Sequence, residues 1–163
     1  MTIEPRAFQD AYPDHLAVCY GCGRYNEHGV RIRSFWEGDE GVCRVTPRAF
    51  ERAFPGIVYG GLVASIIDCH CIGTAAAATA RAEGRELESD PPLRFVTGTL
   101  EVKFLRPTPL GVELVCRARA DEIGPRKVVL SATLHAGDFV TATGRVVAVR
   151  VPDAIVDLAR AGA

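Results

Sequence analysis

The chain has 163 residues, of which 48% are hydrophobic and 24% are charged, a composition typical of one globular domain rather than of a disordered or collagen-like protein. Its 19 basic and 20 acidic residues give a net charge of -1, so it lacks the basic excess that binding to a nucleic-acid backbone normally requires. We therefore expect no nucleic-acid partner.

The N-terminal stretch MTIEPRAFQDAYPDHL contains no apolar segment behind a basic tip, which a secretory signal would need. No later stretch approaches the ~20 apolar residues that span a bilayer. The six cysteines are scattered through a chain that is large enough to fold without disulfides. The sequence therefore predicts a cytoplasmic protein with reduced thiols and no membrane partner.

In chain order, the first segment is an N-terminal arm and loop at residues 1–28, which is rich in Pro, Gly, Asn and charge and has a helical hint at 6–12. After it, the runs VRIRSFW and GVCRVTP flank the turn EGDEG, which predicts a β-hairpin. We place one folded domain at residues 29–153 and a C-terminal tail at 154–163.

One long helix is predicted from Gly60 to about Glu83, with a glycine pair at its start and Gly84 as its stop. At 100° per residue, Asp68 points away from the aliphatic side of this helix. That side carries Leu62, Val63, Ile66, Ile67 and His70. His70 is therefore more typical of a hydrogen-bonded core residue than of a catalytic one.

Four strand-like runs follow a polar loop: FVTGTLEVKFL, VELVCRARA, KVVLSATLHA and FVTATGRVVAVRV. The turn signals between them predict an antiparallel meander. The element order is two strands, one long apolar helix and four strands. This order predicts an α+β fold in which a sheet wraps around the helix.

Three segments carry a resemblance to a known family: CYGCGRYNEHG at residues 19–29, FPGIVYGG at 54–61 continuing to Asp68, and TGTLEVKFLRP at 97–107. In this order they resemble the hotdog-fold acyl-CoA thioesterases related to the phenylacetate-pathway enzyme, the PaaI-like family, over about residues 19–150. The resemblance implies a hotdog fold, an antiparallel β-sheet around one long central helix. It also implies hydrolysis of an acyl-CoA at a site shared by two subunits.

In that family the middle segment reads His-Gly-Gly, followed about two turns into the helix by an acidic residue. Gly60, Gly61 and Asp68 match this pattern. The sequence departs from it at Tyr59, which stands in the place of the histidine, and at Cys69, where a second acidic residue is common.

Thioester hydrolysis needs an activated water or a carboxylate nucleophile, and a group that stabilises negative charge on the carbonyl oxygen. Gly60 and Gly61 are the oxyanion-hole candidates, because N–H groups at a helix start are unpaired and glycine permits close approach. Asp68 is the candidate base or nucleophile, and both routes stay open. The plainer interpretation is a helix that begins at a glycine pair and carries a solvent-facing aspartate.

Thr97 matches a position where relatives carry a hydroxyl group near the aspartate of the facing subunit. Strict alternation places Thr97 opposite Leu100, so a bulge at Gly98 would be needed to re-aim it; a plain strand residue is the equal alternative. Tyr59 can donate a hydrogen bond to a carbonyl oxygen but is a poor proton carrier near neutral pH, since its reference pKa is about 10. Packing of its ring at the helix start is the alternative role.

Cys19 and Cys22 have the spacing of a zinc knuckle, but a closed zinc site takes four ligands and no second Cys-x-x-Cys pair follows. We therefore predict no metal and no cofactor. The histidines at positions 15, 28 and 135 form no motif. A cluster of basic residues, Lys103, Arg106, Arg126 and Lys127, can either bind CoA phosphates or protect a strand edge.

Three functions compete for this chain. An acyl-CoA thioesterase is the leading hypothesis, a non-catalytic acyl-CoA or ligand-binding hotdog protein is favoured by Tyr59, and a hydratase ranks last because no histidine is evidently paired with an acid. The expected partners are an acyl-CoA substrate and further copies of the chain. A homodimer or a dimer of dimers (homotetramer) is predicted, because a second copy removes the unpaired strand edges.

Overall fold

The computed structural model describes residues 6–155 and has the predicted architecture, a six-stranded antiparallel sheet around one long helix. Two short 3₁₀ helices at Phe8–Ala11 and Asp14–Leu16 precede the sheet. The remaining elements are β1 Ser34–Glu37, β2 Glu40–Val45, α1 Gly60–Glu83, β3 Phe95–Phe104, β4 Leu114–Ile123, β5 Lys127–Ala136 and β6 Phe139–Arg150. Most of the predicted C-terminal tail, from residue 156 onward, lies outside the described residues.

The predicted hairpin is present, with β1 and β2 joined at Gly38 and Asp39, but its first strand is shorter than the run VRIRSFW suggested. The backbone N–H groups of Val30 and Ile32 donate to the carbonyls of Tyr20 and Gly21 at 2.9 Å. This part of the run therefore pairs with the N-terminal loop instead of extending β1.

The prediction of a four-strand meander is wrong in one respect. The sheet order is β1-β2-β4-β5-β6-β3, so β4, β5 and β6 form a meander while β3 pairs with β6. Both edges of β4 are occupied, by β2 and β5, and no edge is left for β3. The segment from β3 to β4 instead passes beneath the start of the helix, where Val58 N–H donates to the Thr108 carbonyl at 2.9 Å.

Helix α1 begins at Gly60 and ends at Glu83, as predicted, and Gly84 closes it in the left-handed conformation with φ of 63°. The aliphatic side predicted from the sequence is buried against the sheet: Leu62, Val63, Ile66, Ile67 and His70. A Cβ atom at Gly144 on β6 would overlap with the Ile67 side chain, so glycine at this position lets the helix lie close to the sheet.

A buried polar network joins the N-terminal segment, the β1–β2 hairpin and the helix. The amide of Gln9 donates to Ser34 Oγ at 3.0 Å and accepts from the Ser34 N–H at 2.8 Å. His70 Nε2 donates to the Gly41 carbonyl at 2.9 Å, so Nδ1 accepts from Ser34 Oγ at 2.8 Å. His70 is thus the hydrogen-bonded core residue that the sequence predicted.

In the described part of the chain, α1 is long and apolar enough to cross a membrane, with a mean hydropathy of 1.5. The expectation that no stretch approaches the length of a membrane span is therefore corrected. The alanine run in the second half of α1 makes the helix apolar enough. Because 67% of the same window is buried inside the fold, α1 is the core helix of the sheet.

Candidate active site

Asp68 on α1 is held by Thr97 on β3. The Thr97 hydroxyl donates to Asp68 Oδ1 at 2.5 Å. Thr97 pairs with Ala148 and Thr99 with Val147, which leaves Gly98 as an unpaired residue in the register of β3 and β6. The bulge that would re-aim Thr97 is therefore present, and it turns the hydroxyl towards the helix.

The Thr97–Asp68 pair lines the wall of a cavity of about 420 Å³ whose other walls are largely apolar. The apolar lining includes Leu16, Ile72, Ala76, Leu93, Phe95 and Val151. Burial raises the pKa of the Asp68 carboxyl above its ordinary value, while the hydrogen bond from Thr97 opposes this rise and the negative charge of Cys19 adds to it. Asp68 is half-buried, so it is accessible to a ligand in this cavity.

The start of α1 offers two unpaired N–H groups. Leu62 and Val63 donate back to the carbonyl of Tyr59, whereas Gly60 and Gly61 have no backbone acceptor within residues 6–155. Tyr59 is itself fixed by its N–H, which donates to the Glu51 carbonyl at 2.9 Å. Together with the helix dipole, these free N–H groups make the start of the helix electropositive.

The Tyr59 ring lies over Gly61, where a Cβ atom would overlap with it. The side chain is 58% exposed and gives no capping hydrogen bond to the helix. The sequence left two roles open for Tyr59, a hydrogen bond to a carbonyl oxygen or packing of its ring at the helix start. In the structure the ring is packed at the helix start. Its hydroxyl does not line the cavity that contains Asp68.

Within one protomer the predicted site is divided into two parts. Eight residues of helix separate Gly60 from Asp68, a distance of about 12 Å along the axis. Gly60 lines a different groove, of about 590 Å³, together with Phe104 and Arg106. One expectation is corrected, since Thr97 reaches Asp68 within the same chain and not across a subunit interface.

Residues 55–143, more than half of the chain, match the family model of the thioesterase superfamily. The chain belongs to the thioesterase superfamily. A superfamily member from Shewanella loihica is 39% identical, and the match covers 88% of this chain and 99% of that one with a TM-score of 0.67. No curated protein matches the chain.

Two more distant solved structures share the fold of this chain. The PaaI protein from the phenylacetic acid degradation operon of E. coli is 18% identical with a TM-score of 0.62, and 76% of this chain and 81% of that chain are covered. A Streptococcus mutans protein bound to acetyl-CoA is 13% identical with a TM-score of 0.60, with 74% and 88% covered. Both likenesses confirm the predicted fold.

Beside Asp68 the structure gathers three sulfur atoms, a feature of this superfamily member that the sequence reasoning missed. Cys69 joins Cys19 and Cys22, although 50 residues separate Cys19 from Cys69. Hydrogen bonds from Cys22 and then Cys69 hold the pKa of Cys19 well below its usual range. The contact with Cys19 is in turn the largest cause that raises the pKa of Cys22 and of Cys69. The sequence contains two separate signals, the Cys-x-x-Cys spacing of Cys19 and Cys22 and the cysteine directly after the candidate aspartate, but nothing that links them.

Proposed function

We propose that this protein is an acyl-CoA thioesterase that hydrolyses an acyl-CoA to the free acid and CoA. The observation that carries the proposal is the hydrogen bond from Thr97 to Asp68 in the wall of an apolar cavity. Superfamily membership supports thioester hydrolysis at the level of the family. The acetyl-CoA bound to the Streptococcus mutans protein supports an acyl-CoA as ligand.

Asp68 supplies the nucleophile by one of two routes. As a general base, it takes a proton from a water molecule whose oxygen bonds to the thioester carbon. As a nucleophile, its carboxylate attacks that carbon and forms an anhydride, which water then hydrolyses. In both routes Thr97 orients the carboxylate, the C–S bond breaks, and the CoA sulfur leaves with the electron pair and takes up a proton.

The N–H groups of Gly60 and Gly61 stabilise the negative charge on the carbonyl oxygen while the tetrahedral intermediate exists. Because these groups lie about 12 Å from Asp68 of the same chain, we propose that they serve Asp68 of a second subunit. Catalysis then needs a homodimer, alone or within a dimer of dimers.

Strand β3 provides the means of pairing the two subunits. It is one of the two edge strands of the sheet, and its apolar residues Val96, Leu100 and Phe104 are 54%, 37% and 56% exposed. Antiparallel pairing of β3 with its own copy brings the start of one strand next to the end of the other. Thr97 lies at the start, and Phe104 at the end lies within 4 Å of a Cβ built at Gly60. The two parts of the site therefore meet across the interface.

In this arrangement the cavity beside Asp68 receives the acyl group, and its largely apolar walls favour a hydrocarbon or aromatic acyl chain. The groove at the helix start carries Arg106, whose guanidinium lies over the Phe139 ring at 5.0 Å from the ring centroid. Arg106 is the candidate contact for the phosphates of CoA.

A second candidate function is a non-catalytic acyl-CoA-binding protein. Tyr59 favours it, because the tyrosine ring covers Gly61 and replaces the histidine of the related thioesterases. Such a protein would retain the cavity and the groove for the ligand but would not turn it over.

Replacement of Asp68 by asparagine tests the two candidates. Asp68→Asn keeps the shape of the side chain and removes its ability to act as base or nucleophile, so turnover of a panel of acyl-CoAs should fall by ~10²–10⁴. Asp138→Asn is the matched control, because Asp138 is an exposed aspartate in the β5–β6 turn. Release of the CoA thiol measures the rate, and circular dichroism verifies the fold.

Unchanged turnover in Asp68→Asn would remove Asp68 from the mechanism. Wild-type protein that binds acyl-CoA in calorimetry but releases no thiol above the level of Asp68→Asn would establish the non-catalytic function instead.

A further inference from the structure

The sulfur atoms of Cys19, Cys22 and Cys69 lie within 4.8 Å of one another, and the Sγ atoms of Cys19 and Cys69 are 3.8 Å apart. Zinc binds thiolates at about 2.3 Å in a tetrahedral arrangement, which places two ligating sulfurs about 3.8 Å apart. The separation of Cys19 and Cys69 is therefore that of two zinc-bound thiolates, and Cys22 Sγ lies within 4.8 Å of both. We propose that this cluster binds one Zn²⁺ ion through three thiolates.

The loop that carries Cys19 and Cys22 is built to bring them to the helix. A Cβ atom at Gly21 would overlap with Cys69 Sγ, so only glycine lets the loop approach the third ligand so closely. A Cβ atom at Gly23 would overlap with the backbone of Cys19, and Gly23 N–H donates to the Cys19 carbonyl at 2.8 Å to close the turn. Both glycines of the sequence CYGCG thus allow the three sulfur atoms to lie close together.

The cluster is also accessible to an ion. Cys19 is exposed, Cys69 is partly buried and Cys22 is buried, so the three ligands run from the surface into the protein. All three line the cavity that contains Asp68, which leaves the fourth coordination position facing that cavity. As the ion binds, the ligating thiols release their protons to solvent. The ion fixes the N-terminal loop to α1 and becomes part of the cavity wall.

A second group of possible ligands, Cys43, His70 and Cys116, does not have these properties. All three residues are fully buried, and both ring nitrogens of His70 are engaged, with Ser34 and with the Gly41 carbonyl. A metal bound at Nδ1 would displace the Ser34 hydroxyl, and a metal bound at Nε2 would displace the proton that this nitrogen donates to the Gly41 carbonyl. We therefore expect no metal ion at this group, and one metal ion per chain in total.

The test uses the full chain, purified with a reductant, stripped of metal and titrated with Co²⁺ and then Zn²⁺. We expect one Co²⁺ per chain, with an intense thiolate-to-cobalt charge-transfer band and the visible bands of a tetrahedral ion. One equivalent of Zn²⁺ should abolish this spectrum, raise the melting temperature, and protect Cys19 from alkylation, as located by mass spectrometry.

Cys19→Ser and Cys69→Ser should each weaken Zn²⁺ binding by at least about tenfold, whereas Cys71→Ala should not, because the Cys71 thiol on the same helix faces the core. Cys19→Ser keeps the test valid if the partly buried variant unfolds, since Cys19 is exposed. The proposal would be overturned if the reduced chain bound no Co²⁺, or if the spectrum were unchanged in Cys19→Ser. A disulfide among the three cysteines that persists in the presence of the reductant would also overturn it. None of these readouts depends on thioesterase activity.

Discussion

Tyr59 stands where the resemblance to the PaaI-like thioesterases implies a histidine. It adopts the N-cap position of α1, and its ring packs on Gly61 with the side chain still 58% exposed. A phenol in this place can donate a hydrogen bond but exchanges protons poorly near neutral pH. Replacing Tyr59 can therefore distinguish two cases: the tyrosine either lowers turnover or suits the site to a particular substrate.

We expect Tyr59→His to raise thioesterase turnover by about tenfold or more, because groups that transfer protons contribute ~10²–10⁴ to rates of this kind. Steady-state release of the CoA thiol is the measurement. Tyr59→Phe is the matched control, since it keeps the ring on Gly61 and removes only the hydroxyl. Equal or lower turnover in a folded Tyr59→His protein would show instead that the tyrosine suits a particular substrate.

At the scale of the elements, α1 serves two purposes. Its aliphatic side supplies the centre of the core, where Ile66 and Ile67 are 0% exposed, and its other side presents Asp68 to the cavity. Packing against the sheet thus fixes the direction of the catalytic candidate. The bulge at Gly98 performs the corresponding task on β3 by turning Thr97 towards the helix.

Shortening the buried side chain of Ile66 on α1 should show how much the packing of this helix contributes to the stability of the fold. Ile66→Ala is expected to lower the free energy of unfolding by ~2–5 kcal/mol, through lost burial and the cavity left behind. Ile123→Ala, at the 43% exposed end of β4, is the matched control and should cost far less. Urea denaturation measures both, and equal effects would contradict the assignment of α1 as the core helix.

For the whole molecule, the division of the site between two places in the protomer is the central feature. Asp68 and Thr97 belong to one cavity, while Gly60 and Phe104 belong to another groove. The exposed apolar edge of β3 joins them only if a second copy is present. Activity should therefore depend on the dimer.

Subunit exchange tests this dependence. Gly61→Val is expected to be inactive, because its side chain would overlap with the Tyr59 ring at the proposed oxyanion hole. Mixed with inactive Asp68→Asn, it should recover about a quarter of wild-type activity, since half of the dimers are mixed and each mixed dimer has one intact site.

The matched control is a mixture of Asp68→Asn with Thr97→Val. Because these two residues meet within one chain, each site in a mixed dimer keeps one defect, and no recovery is expected. A monomer in sedimentation, or recovery in the control mixture alone, would contradict the shared site as we propose it.

The sequence by itself determined the local structure. The glycine pair and Gly84 predicted the bounds of α1, and the residues on its aliphatic side are the buried ones. The turn signals predicted the hairpin and the later strands. The parity of β3 showed that Thr97 would need a bulge at Gly98 to face the helix, and the structure decided that the bulge is present. These features depend on backbone preferences and on the periodicity of neighbouring residues, which any short stretch of sequence contains.

The tertiary structure alone decided which distant segments meet. It paired β3 with β6 rather than β4, placed the Thr97 hydroxyl on Asp68 of the same chain, and brought Cys69 to Cys19 across 50 residues. Such contacts depend on how the whole sheet closes around the helix and on which edges remain free. No local pattern encodes that outcome, because each strand is compatible with several partners until the core is packed.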